Sequence, residues 1–204
     1  HQTGDDILNR SRTSRRSARF EQSLSQHIAL ALEDATPIAT ADRLLGSLET
    51  ADPSPEQERA LVHMALSHDR VTGIAGVAGS GKSTLVAWLR AAAGPEKMFV
   101  ALAPTSSAAA ELGAKAKIDS RTVASLLAGG GHGLTSDHVL VLDEAGQLGN
   151  RQALRVLELS RVTGARLILM GDNRQTGAIE QGKAFWLMQI LGMETPELTE
   201  SRRQ

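Results

Sequence analysis

Gly76-Val77-Ala78-Gly79-Ser80-Gly81-Lys82-Ser83 has the spacing G-x₄-G-K-S, and each residue type in it suits contact with phosphate. Glycines let backbone N–H groups curl around phosphate oxygens with no Cβ in the way. A helix opening just after them offers unsatisfied N–H groups and a positive dipole end. Lys82 adds a mobile ammonium for the β and γ phosphates, and Ser83 a hydroxyl for Mg²⁺. The competing reading is a glycine-rich turn that binds nothing. Context decides against it, because a short β-type run precedes the stretch and a helical pattern follows, as the motif requires. The stretch predicts ATP with Mg²⁺ as ligand, contacted by Gly76, Ala78, Gly79, Ser80, Gly81, Lys82, Ser83 and Thr84.

Two further clusters have the residue types that phosphate chemistry uses. Val139-Leu140-Val141-Leu142 is an apolar run ending in Asp143-Glu144. Acids at the carboxyl end of a buried strand stand where α/β sheets bind ligands. Asp143 is expected to hold Mg²⁺ through water, and Glu144 to orient or deprotonate an attacking water. Taken alone, the pair is equally a solvated strand-to-helix turn; the phosphate loop upstream favours function. Leu167-Ile168-Leu169-Met170 repeats the design and ends in Gly171-Asp172-Asn173-Arg174-Gln175. Gln175 is placed to sense the γ-phosphate, and Asp172 to fix the loop or the water.

These residues need strands to carry them and helices to cover the strands. Expected strands are Val71–Ala75, Met98–Ala103, His138–Leu142 and Arg166–Met170. Expected helices are Glu56–Leu66, Lys82–Ala93, Ser106–Ala116, Thr122–Leu127, Arg151–Arg161 and Gly182–Leu191. Gly94-Pro95 stops the second of these helices, and residues 129–133 form a glycine-rich turn. Strands alternating with helices of this length predict an α/β fold, a parallel sheet with helices on both faces. Before it, Asp52-Pro53-Ser54-Pro55 is a breaker, and a domain boundary is expected there, dividing 1–52 from 53–204. In the first part, residues 10–19 carry five arginines and no acid. They read as a solvated arm or linker, with contact to a phosphate backbone as the alternative. Phe20, Leu24, Ile28 and Leu32 follow at i+4 spacing and predict a short amphipathic helix, with a second helical piece over Ala41–Leu48.

Composition narrows the chemistry. The 204 residues are 41% apolar and 22% charged, with a net charge of −1. No global positive field points to nucleic acid, so any such site must be a local patch. Cysteine is absent, which removes disulfides and thiolate metal sites, and tyrosine is absent, which removes a tyrosyl nucleophile. The six histidines are scattered without metal-ligand spacing. No apolar run is long enough for a membrane span and no signal-peptide pattern opens the chain. Opening on His1 rather than Met, the chain reads as a trimmed or excised piece. Its five aromatics are Phe20, Trp88, Phe99, Phe185 and Trp186. Trp88 reads as core, and Phe185 and Trp186 as helix-packing residues, so base-stacking platforms are scarce.

From about Pro53 to Gln204 the ordered set resembles the first RecA-like lobe of superfamily-one helicases of the RecD-like branch, and within it the helicase part of conjugative relaxase–helicases. Pro55-Glu56-Gln57 with Ala60 is similar to the family's glutamine motif, which implies that Gln57 contacts adenine. Ala103-Pro104-Thr105-Ser106 and Arg121-Thr122-Val123-Ala124-Ser125-Leu126-Leu127 resemble two segments that touch single-stranded DNA, implying contacts from Pro104, Thr105, Ser106 and Thr122. Asp143-Glu144-Ala145 resembles the acidic motif. Gly171-Asp172-x-x-Gln175 with Ala178-Ile179-Glu180 and Gly182-x-Ala184-Phe185 resembles the third motif. Leu198-Thr199-Glu200-Ser201-Arg202-Arg203-Gln204 resembles the fourth, which implies that Arg203 reaches the γ-phosphate. Thr176 and Ala124-Ser125 depart from the family's usual leucine and Ile-His-like pair.

The resemblance implies a cytoplasmic bacterial motor lobe acting on single-stranded DNA, completed by a second RecA-like lobe and partnered by conjugation machinery. A different class is a single-stranded-DNA-binding module with little ATP turnover; such relatives tend to lose the phosphate loop that this chain keeps. A third is a P-loop ATPase acting on protein partners, against which the Ala103–Ser106 stretch and Arg203-Gln204 argue.

Overall fold

Four apolar runs make the centre of the sheet. In the computed structural model, which describes residues 3–174 and 183–199, these runs are β1 (Val71–Gly76), β2 (Met98–Ala103), β4 (His138–Leu142) and β5 (Arg166–Gly171). All but their first residues in β2 and β4 are buried, as expected of strands covered on both faces. Two short strands form the edges, β3 (Asp119–Thr122) and β6 (Glu197–Leu198). The order is β3-β2-β4-β5-β1-β6 and every pairing is parallel.

Alternation along the strands sorts side chains into two cores. Val139 and Val141 join Ile74, Ala101 and Ile168 on one face, under helices α2 (Ala41–Ala51), α3 (Pro55–Leu66), α4 (Lys82–Ala93) and α5 (Ser106–Ala116). Leu140 and Leu142 join Leu102, Leu167 and Leu169 on the other, under α1 (Thr3–Ala29), α6 (Val123–Ala128), α7 (Asn150–Thr163) and α8 (Lys183–Ile190). Parallel strands joined by covering helices leave every strand's carboxyl end on one edge.

The stretch read as an arm or linker is helical. Residues 10–19 lie inside α1, which also takes in the expected helix from Phe20 but stops at Ala29. Arginine is a good helix former, and a solvated charge run does not break a helix. Leu24 and Ile28 are buried, whereas Leu32 lies past the helix end and is 40% exposed. The expected helix from Thr122 begins at Val123, with Thr122 as its cap and as the last residue of β3. Trp186 is 47% exposed on α8, so it does not pack as Phe185 does (1%). Trp88 is partly buried against the α2–α5 core.

The segment before Pro53 adds to both cores: Leu24, Ile28 and Ala31 to one, Ile38, Ala39 and Leu44 to the other. Among the described residues, no helix is long and apolar enough to cross a membrane.

Candidate functional site

The sheet order brings the chemistry together. β5 lies between β1 and β4, so the residues that follow these three strands stand side by side at one edge. They are the glycine loop after β1, Asp172 after β5, and Asp143-Glu144 after β4.

The loop owes its path to two glycines with positive φ, Gly79 (80°) and Gly81 (89°), a region that costs other residues about 1–2 kcal/mol. Gly81 caps α4, and a Cβ there would lie 2.6 Å from the Gln57 amide nitrogen. Lys82 opens the helix. Its Nζ donates to the carbonyls of Gly76 (2.6 Å) and Val77 (3.0 Å). Burial pushes the Lys82 pKa below the ordinary lysine range, while the charges of Asp143 and Asp172 pull it back up.

Facing the loop is a cavity of about 440 Å³. Ala78, Gly79, Gly81, Lys82, Ser83 and Thr84 line it from the loop side, Asp143 and Glu144 from β4, and Gly171 and Asp172 from β5. Asp143 continues the sheet through its N–H to Leu102 O (2.8 Å), and its Oδ1 accepts the Glu144 N–H (2.8 Å). That turn puts Glu144 at φ 54°, a left-handed conformation uncommon for glutamate. Burial raises the Glu144 pKa above the carboxylate range, and the charges of Asp143 and Glu111 add to the rise. The Asp172 carboxylate accepts the N–H of Arg174 (2.8 Å), which fixes the start of the loop after β5.

Ser80 is buried in the bend of the loop, its Oγ unpartnered among the described residues and packed where a Cβ on Gly76 would stand. Gln57 is buried at the N3 position of α3, in a capping box. Its Oε1 accepts the Ser54 N–H (3.0 Å), and Ser54 Oγ accepts the Gln57 N–H (3.3 Å). The glutamine therefore sits against the loop with its Oε1 already engaged.

Pro104, Thr105 and Ser106 follow β2, and Thr122 ends β3 beside them, since Ala103 pairs with Thr122. They share the loop's edge of the sheet. Both threonines cap helices, Thr105 accepting from Ala108 N–H (3.3 Å) and Thr122 from Ser125 N–H (3.1 Å). Gln175 and Arg203 lie outside the described residues, as do Arg202, Gly182 and the 178–180 stretch.

Sequence reasoning missed Glu111 and Lys115, a 2.5 Å ion pair on α5 that lines the same cavity. The available signal was their i,i+4 spacing, which marks a pair but not the surface it faces. Among the described residues, no group of three or more His, Cys, Asp or Glu side chains gathers to hold a metal.

Residues 52–204 match the family described as an AAA domain, so the chain belongs to that family. The conjugation protein TraI of Escherichia coli, described as multifunctional, is 32% identical over 213 residues, spanning 92% of this chain. A probable conjugal transfer protein TraA of Sinorhizobium fredii (strain NBRC 101917 / NGR234) is 38% identical over 138 residues, 65% of this chain. The chain spans only 12% of either relative. A crystal structure of the Bacteroides Pif1 helicase in complex with ADP-AlF3 and single-stranded DNA aligns at a TM-score of 0.47 and 18% identity. That alignment covers 74% of this chain and 43% of the other. The chain is thus a RecA-like lobe of the superfamily-one helicase kind, related to the conjugative relaxase–helicases.

Proposed function

We propose that this chain is the ATP-binding motor lobe of an ATP-dependent helicase or translocase that acts on single-stranded DNA. The observation that carries the reading is the gathering of Lys82, Ser83, Asp143, Glu144 and Asp172 around one cavity. Two glycines with positive φ and a half-buried ammonium make the loop fit a triphosphate. One carboxylate and one hydroxyl fit Mg²⁺, which takes few protein ligands and completes its shell with water and phosphate. Ser83 and Asp143 would hold the ion, which when bound neutralises charge on the phosphates.

In the reaction, Glu144 accepts a proton from a water aligned with the γ-phosphate, the water oxygen bonds to the γ-phosphorus as that phosphorus loses its bond to the β–γ bridging oxygen, and ADP and inorganic phosphate result. Lys82 exchanges its carbonyl acceptors for phosphate oxygens and stabilises the charge that develops. Gln175 would sense the γ-phosphate, and Arg203 would add a second cation. Gln57 would contact adenine through its free amide edge. Pro104, Thr105, Ser106 and Thr122 would meet the DNA strand.

Relatives named for conjugation support a place in DNA transfer, in the cytoplasm, alongside a second RecA-like lobe of the same parent chain. The retained loop and acidic pair argue against a DNA-holding module without turnover. The test is nucleotide affinity of Lys82→Ala, measured with a fluorescent ATP analogue. Binding is expected to be lost, and an affinity equal to wild type would overturn the site.

A further inference from the structure

α1 is longer than the sheet is tall. Its 27 residues span about 40 Å, whereas a six-residue strand such as β1 spans about 20 Å. Just past the helix the chain is tied to the sheet edge opposite the loop, where Ala31 O accepts the N–H of Arg70, the residue before β1, at 2.8 Å. From that edge the helix climbs along the strands. Ile28 and Leu24 are buried, Phe20 is partly buried, and Glu21 meets Lys183, the first residue of α8, at 3.3 Å. Beyond them Arg15, Arg16, Ala18 and Arg19 are all exposed, although they point to more than one side of the helix. This part of α1 therefore stands clear of the core, toward the edge that carries the glycine loop, Pro104 and Thr122.

The charge there is unbalanced. Arg15 and Arg19 stand one turn apart on one side of the helix, with Arg16 beside them. No acid lies between Asp6 and Glu21, and the Glu21 carboxylate is taken by Lys183. Among the described residues the three arginines make no ion pair. Like charges one turn apart work against a helix, so an external anion is the partner that would relieve them. The guanidinium fork suits phosphate oxygens. About one turn along α8 from Lys183, Trp186 is 47% exposed. Cations that track a backbone, beside an aromatic ring on which a base can stack, are the parts that hold an unpaired strand. α1 lies before residues 52–204, the stretch that matches the family.

We propose that Arg15, Arg16, Arg19 and Trp186 form a second contact for single-stranded DNA, in which the guanidiniums hold backbone phosphates and the indole stacks on one base. This rests on the reading of the chain as a lobe that acts on single-stranded DNA, and it adds a contact apart from the segments that follow β2 and end β3. The two parts of the contact leave different signatures. Phosphate contacts release counterions and set the salt dependence of binding. A stacked base adds affinity that needs an unpaired strand.

The experiment measures the affinity of the 204-residue chain for a labelled oligothymidine strand at several salt concentrations, for a hairpin duplex and for ATP, together with the melting temperature. Arg15→Gln, Arg16→Gln and Arg19→Gln are combined in one variant, since glutamine keeps the helix propensity and removes the charge. That variant is expected to lower the slope of log affinity against log salt by about 2, at roughly 0.7 per phosphate contact on a single strand. Its ATP affinity and melting temperature should equal those of wild type. Trp186→Ala is expected to weaken strand binding about tenfold, keep the salt slope, and bind the duplex as wild type. Trp186→Phe should keep most of the affinity. If Trp186→Ala melts early, Trp186→Leu, which keeps apolar bulk without the π face, carries the comparison. An unchanged slope in the arginine variant would overturn the proposal, as would a Trp186→Ala that loses strand and duplex alike. Wild-type strand binding beside either result sinks only this contact. A wild-type chain that binds no strand sinks the single-stranded-DNA reading itself, and the contact with it.

Discussion

Glu144 combines a left-handed backbone with a carboxyl whose pKa is raised by burial and neighbouring charge. Strained residues concentrate at functional sites, and this one faces the cavity that holds Lys82. Glu144→Gln keeps the shape of the side chain and removes its basicity. In a parent protein containing both lobes, the variant is expected to bind ATP as wild type and lose about 10²–10⁴-fold in turnover. Steady-state hydrolysis beside nucleotide affinity checks it, and normal turnover would place the base elsewhere. At Gly81 two costs add in an alanine variant, the φ of 89° and the approach to the Gln57 amide. Gly81→Ala is expected to lose at least ~1–2 kcal/mol from the backbone alone. Adding Gln57→Ala should recover only the steric share, so the pair in denaturant melts separates the two causes.

Among the elements, those positioning the loop were legible from residues that punctuate. Gly81-Lys82 opens α4 and Gly94-Pro95 closes it, and Ser54-Pro55 opens α3 with a capping box. The edge strands were not legible. Asp119-Ser120-Arg121-Thr122 has no apolar alternation, and its backbone pairing with β2 makes it a strand. Glu197-Leu198 is too short to show any period. The acidic pair was legible as chemistry, but its setting was not, because the α5 pair Glu111 and Lys115 reaches the cavity only through the fold. Thr105 and Thr122 show why resemblance and structure must be tested apart, since each already has work as a cap. Thr105→Ala is expected to cost about 1 kcal/mol of stability. Thr105→Asn should restore the cap while changing the group offered to DNA. Equal oligonucleotide affinity for wild type and Thr105→Asn, with stability restored, would assign Thr105 to capping alone.

At the scale of the molecule, the boundary expected at Pro53 meets a packing fact. Two arginines at the edge of the sheet opposite the loop tie the earlier segment to it. Arg70, 2% exposed, pairs with Asp34 and donates to Leu30 O, and Arg166 donates to Thr36 O at 2.6 Å. Burial lowers the Arg166 pKa to about 10. Above them Ile28 enters the same core as Val71 and Leu167 of the strands. If α1 belongs to the cooperative unit that supports the loop, removing that side chain must lower the stability of the whole. Ile28→Ala is expected to cost about 2–5 kcal/mol, which in a chain of this length lowers the melting temperature by roughly 2–4 °C per kcal/mol. Leu32→Ala, one step further along the same i+4 series but past the helix end, should fall within about 0.5 kcal/mol of wild type. The comparison is made by thermal melts followed both by circular dichroism and by nucleotide fluorescence. A joint shift of both signals in Ile28→Ala would make α1 part of the motor lobe. A fall in helicity with the nucleotide transition unmoved would make 1–52 a separate unit.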